Sequence, residues 1–125
     1  MTFSTEITNQ KIFDALFNAA QDAETIQCSR HSSAIVYKRQ ILAIGRNSRK
    51  SHPMQARFGG ENKICLHSEI DGIVRVINQH GADILKRCDL YNLRITKSGK
   101  IGLAKPCESC YKAVSAFGIK KVFWT

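Results

Sequence analysis

With 125 residues, 43% of them hydrophobic and 23% charged, the chain is long enough to bury one core and too short for two. No apolar run approaches the ~20 residues that cross a bilayer, and the first eleven residues lack the basic-then-apolar pattern of a secretory signal, so one soluble, cytoplasmic domain over residues 1–125 is expected. Lys and Arg number 19 against 10 Asp and Glu, a net charge of +9; that excess either favours phosphate-bearing partners or is simply a solvated basic surface.

Thr8 to Ala23 places Ile12, Phe13, Leu16, Phe17, Ala20 and Ala23 at helical spacing, with Thr8 or Asn9 able to cap, and predicts a first helix. Ser33–Tyr37 and Ile41–Gly45 are short apolar runs around Lys38-Arg39-Gln40 and predict a hairpin whose second strand ends at Gly45. Arg46 to Leu66 is long and polar, broken by Pro53 and Gly59-Gly60. A loop of that length in a small domain is usually functional. From Arg46 to Lys63 it carries Arg46, Arg49, Lys50, Arg57 and Lys63 against Glu61 alone.

His67 to His80 puts Ile70, Ile73, Val74 and Ile77 on one face, with Gly81 as the stop. Asp89–Thr96 predicts a strand, Lys97 to Lys100 a turn, and Ile101–Leu103 a short extended return. Pro106 precedes a helix from Cys107 to Phe117, Gly118 lies just beyond it, and Lys121–Thr125 predicts a last strand. There are no repeats and no linker. The order predicts a three-layer α/β/α sandwich around a mixed sheet of four to five strands.

Five cysteines (Cys28, Cys65, Cys88, Cys107 and Cys110) make an odd count with only one close pair. That argues against a disulfide framework and for metal or redox chemistry. Cys107 and Cys110 are i and i+3, on one face of the first turn of a helix whose start Pro106 fixes. The positive end of a helix lowers thiol pKa and favours thiolates. His67, where a loop enters the other helix, adds an imidazole. One imidazole and two thiolates are three ligands for a single tetrahedral Zn²⁺, with a fourth position left for water. The rival is a buried His with two core thiols.

Glu69, two residues after the His and in the same turn, can reach that fourth position without ligating the metal, and can move protons there. A structural zinc site has no need of it; otherwise it is a helix-start carboxylate facing the dipole. Cys65 as a fourth ligand would close the shell and make the site structural, but its neighbours Ile64 and Leu66 suggest packing.

His67-Ser68-Glu69 followed by Pro106-Cys107-Glu108-Ser109-Cys110 resembles the signature of the cytidine, deoxycytidylate and tRNA-adenosine deaminase superfamily. The stretch Asn47–Phe58 with His67 to Ile70 looks like small deaminase-like proteins common in phages, which would place the protein in a host cytoplasm. The resemblance implies a cytidine-deaminase-like fold and a hydrolase acting on C–N bonds of cyclic amidines. It implies that Glu69 passes the water's proton to the ring nitrogen and the leaving amine while water adds to C4 of cytosine. It also implies backbone N–H groups near Cys107 facing the reacting centre, and a homo-oligomer. Many family members have Ala at the place of Ser68. Many also continue into a further helix and strand, whereas here the sheet would end at Thr125, with an edge exposed or covered by another subunit.

Gly45-Arg46-Asn47 is similar to the family's Gly-x-Asn, which implies that Asn47 contacts the sugar; a turn residue is the alternative. His52 and Arg57 are candidates for base or phosphate, or are solvated loop residues. Ser68 and Pro106, beside the ligands, complete the candidate substrate contacts. Arg30 and His31 are phosphate candidates with no motif behind them, and Phe117, Phe123 and Trp124 are expected in the core.

Three functions remain open. The first converts a cytosine-type base to a uracil type with ammonia release, on a free (deoxy)cytidine nucleotide or nucleoside. The second is a polynucleotide base deaminase, acting on a tRNA adenosine or on cytosine in single-stranded DNA or RNA. The third is a non-catalytic, zinc-stabilised nucleotide-binding module. No membrane partner is expected.

Overall fold

In a computed structural model, which describes residues 2–4, 7–23, 29–50, 52–60 and 66–125, the chain opens with a short strand, β1 (Thr2–Ser4). Helix α1 (Gln10–Gln21) is capped by Asn9, whose side chain accepts from the Ile12 N–H at 3.1 Å. Strands β2 (Ser29–Tyr37) and β3 (Gln40–Arg46) form the expected hairpin, each longer than its apolar run. Their turn, Lys38-Arg39, holds both residues at positive φ, 46° and 67°.

The stretch expected as one polar loop contains a short helix, α2 (Pro53–Gln55), continued by a π-type turn (Ala56–Gly60), and Ser48 bridges to Leu66. Helix α3 (Ser68–His80) ends at Gly81. A 3₁₀ turn (Asp83–Arg87), strand β4 (Asp89–Thr96), strand β5 (Ile101–Gly102), helix α4 (Glu108–Ala116) and strand β6 (Lys121–Trp124) complete the chain.

The strands form one mixed sheet in the order β1-β6-β4-β2-β3, with β5 against the end of β4. β1, β6 and β4 run parallel, while β2 is antiparallel to both β4 and β3. Alternation along β2 sorts the core into two layers. Ala34 and Val36 meet Ile12, Leu16 and Ala20 of α1 on one face. Ile35 points the other way, toward Ile70, Ile73 and Val76 of α3 and Ala113 and Val114 of α4. The three layers are those expected.

One strand goes beyond those indicated by the sequence. β1 pairs with β6, Thr2 opposite Lys121 through Ser4 opposite Phe123, so β6 is not an edge, and the expectation of an edge exposed beside the chain's end is corrected. Helix α4 links β4 to the parallel β6, and the segment that enters it passes Asn92 of β4 and Thr125 just after β6, which sets its first turn toward the carboxyl end of β6, the end at which open α/β sheets gather ligands. Among the described residues no helix is long and apolar enough to cross a membrane.

Candidate metal centre and its surroundings

Two helix starts converge. His67 and Cys107 are the N-cap residues of α3 and α4, in extended conformation (φ −78°, ψ 149° and φ −71°, ψ 172°), and neither side chain caps its own helix. The imidazole and thiol are turned toward each other instead. His67 Nδ1 lies 3.4 Å from Cys107 Sγ and 3.2 Å from Cys110 Sγ, and the three ligand atoms fall within 4.8 Å of one another. Zn–N near ~2.0 Å and Zn–S near ~2.3 Å at tetrahedral angles put N and S about 3.5 Å apart. The donor set and its spacing fit zinc.

Each member is held from behind. Gly45 of β3 lies so close to α3 that a Cβ there would collide with Ser68 O and Gly72 N. Gln55 of α2, buried, accepts the His67 N–H through its Oε1 at 3.1 Å. At the other helix the Tyr111 N–H donates to Cys107 O at 2.8 Å, closing the first turn that carries Cys110.

The thiols are electrostatically unequal. A hydrogen bond from Cys110, with further ones from His67 and Ser109, holds Cys107 well below the usual thiol range, against the opposing effect of burial. The same contact with Cys107, then burial and the Glu69 charge, hold Cys110 above it. A divalent cation held by both thiols would displace the proton that the raised Cys110 keeps. Glu69 is only 7% exposed, and burial raises its carboxyl above the usual range although the His67 charge pulls it down.

Behind Glu69 runs a row of buried polar side chains that joins α3 to the sheet. Ser68 Oγ stands 3.2 Å from Glu69 Oε1 and 2.7 Å from Ser33 Oγ of β2. Ser33 donates to Asn92 Oδ1 of β4 at 2.6 Å, and Asn92 Nδ2 donates to Ala104 O at 3.3 Å, just before Pro106.

Ser33, Asn92, Gln55 and Arg94 were missed from the sequence. Period-two alternation puts Asn92 and Arg94 on the face of β4 that carries Leu90 toward α3 and α4, which was the available signal. The Arg94 guanidinium donates to Ser29 Oγ at 3.0 Å and Leu103 O at 3.4 Å. Burial, helped by the charges of Arg94 and His67, pushes His31 down to about 4.

The other candidates are placed as follows. Asn47 is buried, and its Oδ1 accepts the His31 N–H at 2.8 Å. His52 caps α2, accepting the Met54 N–H through Nδ1 at 3.0 Å. Arg57 is exposed, its guanidinium 5.4 Å from the Phe58 ring centre. Pro106 is half-buried beside Cys107, and the Ser68 hydroxyl is turned into the sheet. Arg30 donates to Gln21 O at 3.1 Å. Trp124 and Phe117 pack in the α3–α4 layer, and Phe123 stacks on Tyr91 with ring centres 4.6 Å apart. Cys88 is a buried thiol. Cys28 and Cys65 lie outside the described residues, as do Glu61 and Lys63.

Residues 6–125 match the family model of the cytidine and deoxycytidylate deaminase zinc-binding region. A comparison with curated proteins gives no match. Among solved structures, guanine deaminase from Bacillus subtilis superposes with a TM-score of 0.61 and 18% identity, over 95% of this chain and 64% of that one. The chain thus spans less than two thirds of the guanine deaminase. The dCMP deaminase of cyanophage S-TIM5 in its apo form gives a TM-score of 0.57 and 20% identity, over 94% of this chain and 84% of that one. The same enzyme in complex with dCMP and dUMP gives 0.55 and 20%, over 94% and 83%. At such identities the likeness is one of fold.

Proposed function

We propose, since this chain belongs to the family of the cytidine and deoxycytidylate deaminase zinc-binding region, that it is a zinc-dependent hydrolytic deaminase of a pyrimidine nucleotide or nucleoside. The observation that carries this reading is the pairing of a His67, Cys107 and Cys110 cluster of metal-binding size with the buried carboxyl of Glu69 beside it. One zinc per chain, when bound, supplies a water activated for attack near neutral pH.

The chain's own residues supply the rest. Glu69 takes the proton released as water's oxygen bonds to C4 of the base. It returns that proton to the ring nitrogen, then takes the remaining proton from the hydroxyl added at C4 and passes it to the amino group. The C4–N bond then breaks, ammonia leaves, and the cytosine-type ring becomes a uracil type. Burial suits Glu69 to this traffic because it raises the carboxyl above its usual range, so that the protonated form is held more readily between accepting and donating.

Asn47 belongs to this reading as the sugar contact, His52 and Arg57 as the loop's contacts to base or phosphate, and Pro106 as the residue that sets the Cys107 turn against the reacting carbon. The cyanophage enzyme captured with dCMP and dUMP supports a pyrimidine monophosphate. The charge of +9 supports a second reading, a base within a polynucleotide. Homo-oligomerisation and a cytoplasmic location are part of the same proposal.

The test is a panel of nucleosides, nucleotides and short oligonucleotides followed for deamination by mass, with zinc content measured alongside. Release of ammonia from a cytosine nucleotide is expected. A zinc-loaded protein that deaminates no member of the panel contradicts the reading.

A further inference from the structure

We infer that Ser68, Ser33 and Asn92 form a positioning relay that fixes the carboxyl of Glu69 from behind, so that the sheet, and not α3 alone, sets where the proton-carrying group stands. The inference rests on the reading of Glu69 given above. It concerns residues for which the metal ligands have no need.

The geometry is a row of four side chains on three elements. From Glu69 Oε1 it passes to Ser68 Oγ at 3.2 Å, to Ser33 Oγ at 2.7 Å, and to Asn92 Oδ1 at 2.6 Å. Asn92 Nδ2 then donates to Ala104 O at 3.3 Å, three residues before Cys107. That last bond orients the amide: with its nitrogen directed to a carbonyl, its oxygen can only accept from Ser33. Ser33 and Ser68 are 0% and 1% exposed, Asn92 3% and Glu69 7%.

A polar row sealed from water tolerates little drift, because a broken contact leaves a buried oxygen unsatisfied. A carboxyl on a freely rotating Glu side chain would sample several rotamers. Tied to Ser68 it keeps one, and the row's far end lies on the segment that leads into the Cys107 turn. The relay thus sets Glu69 and one of the thiol ligands in a common frame. An alanine at position 68 would keep the helix and the packing yet remove the middle link.

Ser32 provides an internal control. It is also a fully buried serine on β2, but it points to the opposite layer, where its Oγ donates to Leu16 O at 2.6 Å. If buried hydroxyls on β2 serve only to hold the fold, Ser32→Ala and Ser33→Ala should act alike.

The experiment compares wild type, Ser68→Ala, Ser33→Ala, the double variant and Ser32→Ala. It measures kcat and KM on the substrate found in the panel, zinc content, and crystal structures of the zinc-loaded proteins. Ser68→Ala is expected to lower kcat about ten-fold, the effect of one lost positioning hydrogen bond, with KM within about two-fold and zinc retained. Ser33→Ala should lower kcat in the same direction and add nothing to Ser68→Ala, since it acts through it. Ser32→Ala should keep wild-type kcat. The Glu69 carboxyl should leave its wild-type position in the Ser68→Ala crystal.

Unchanged kcat in Ser68→Ala, multiplied losses in the double variant, loss of zinc together with kcat, an equal kcat loss in Ser32→Ala, or a Glu69 carboxyl that stays in place would each overturn the relay. If the wild type deaminates nothing in the panel, the functional reading fails, while the carboxyl's position still decides this inference. If Ser68→Ala does not fold, Ser33→Ala decides it, with the same drop in kcat and the same displacement expected.

Discussion

A carboxyl group that is 7% exposed, one residue from a buried serine and against the Cys110 thiol, is costly to place unless it handles protons. Glu69→Gln removes that capacity with little change in shape. Turnover should fall by about 10²- to 10⁴-fold, the range of a lost general acid–base group, while zinc content and unfolding temperature stay near wild type. A variant that keeps wild-type turnover contradicts the role given to Glu69. The thiol pair makes a second test. Cys110 is held above the usual thiol range by Cys107 and burial, so it carries a proton at neutral pH that zinc must displace. Zinc affinity should therefore rise with pH, by about ten-fold per unit for each proton released. Chelator competition from about pH 6 to 8 measures the slope, and a flat profile counts against a protonated Cys110. The convergence of His67, Cys107 and Cys110, with Glu69 beside them, was legible in the sequence because the spacing of metal-binding residue types is local. Ser33, Asn92 and Gln55 were not, being ordinary residues on separate elements that only the strand register and the packing of α2 bring to the site.

Helix α3 approaches β3 closely enough that Gly45 faces the backbone of Ser68 and Gly72. Gly45 looked from the sequence like the end of a strand, yet it lies within β3. The reason for a glycine is steric: a side chain there would push the His67 end of α3 off the sheet. Gly45→Ala should lower stability by about 3 kcal/mol, an overpacking cost, and weaken zinc binding with it. Urea unfolding with zinc titration is the check, and a variant with wild-type stability would refute the close approach. At the far end of the same hairpin, Lys38 and Arg39 occupy the left-handed region without being glycine. Arg39→Gly should raise stability by about 1 kcal/mol and leave zinc binding unchanged. The helices and central strands were readable from periodicity, which burial imposes directly. β1 was not, because three residues are too few to show alternation. α2 was hidden in a stretch whose Pro and Gly residues signalled only an interruption.

The net charge of +9 attracts a free nucleotide and a polynucleotide alike. Salt separates them. For a nucleotide substrate KM should rise only modestly with salt, whereas a polynucleotide substrate that neutralises several phosphates would lose about 10³-fold or more in affinity between 50 and 200 mM. The modest dependence is expected. Assembly can be read by light scattering, where a mass above that of one chain is expected and a monomer at micromolar concentration contradicts it. Among the described residues β1 covers β6, and the strands at the two ends of the sheet order are β1 and β3. The most direct measurement is X-ray absorption at the zinc edge of the purified protein. Two sulfurs near ~2.3 Å, one protein nitrogen near ~2.0 Å and one light atom from solvent are expected. A shell of three sulfurs and one nitrogen, closed by a further thiol such as Cys65, would make the ion structural and contradict hydrolysis at this centre.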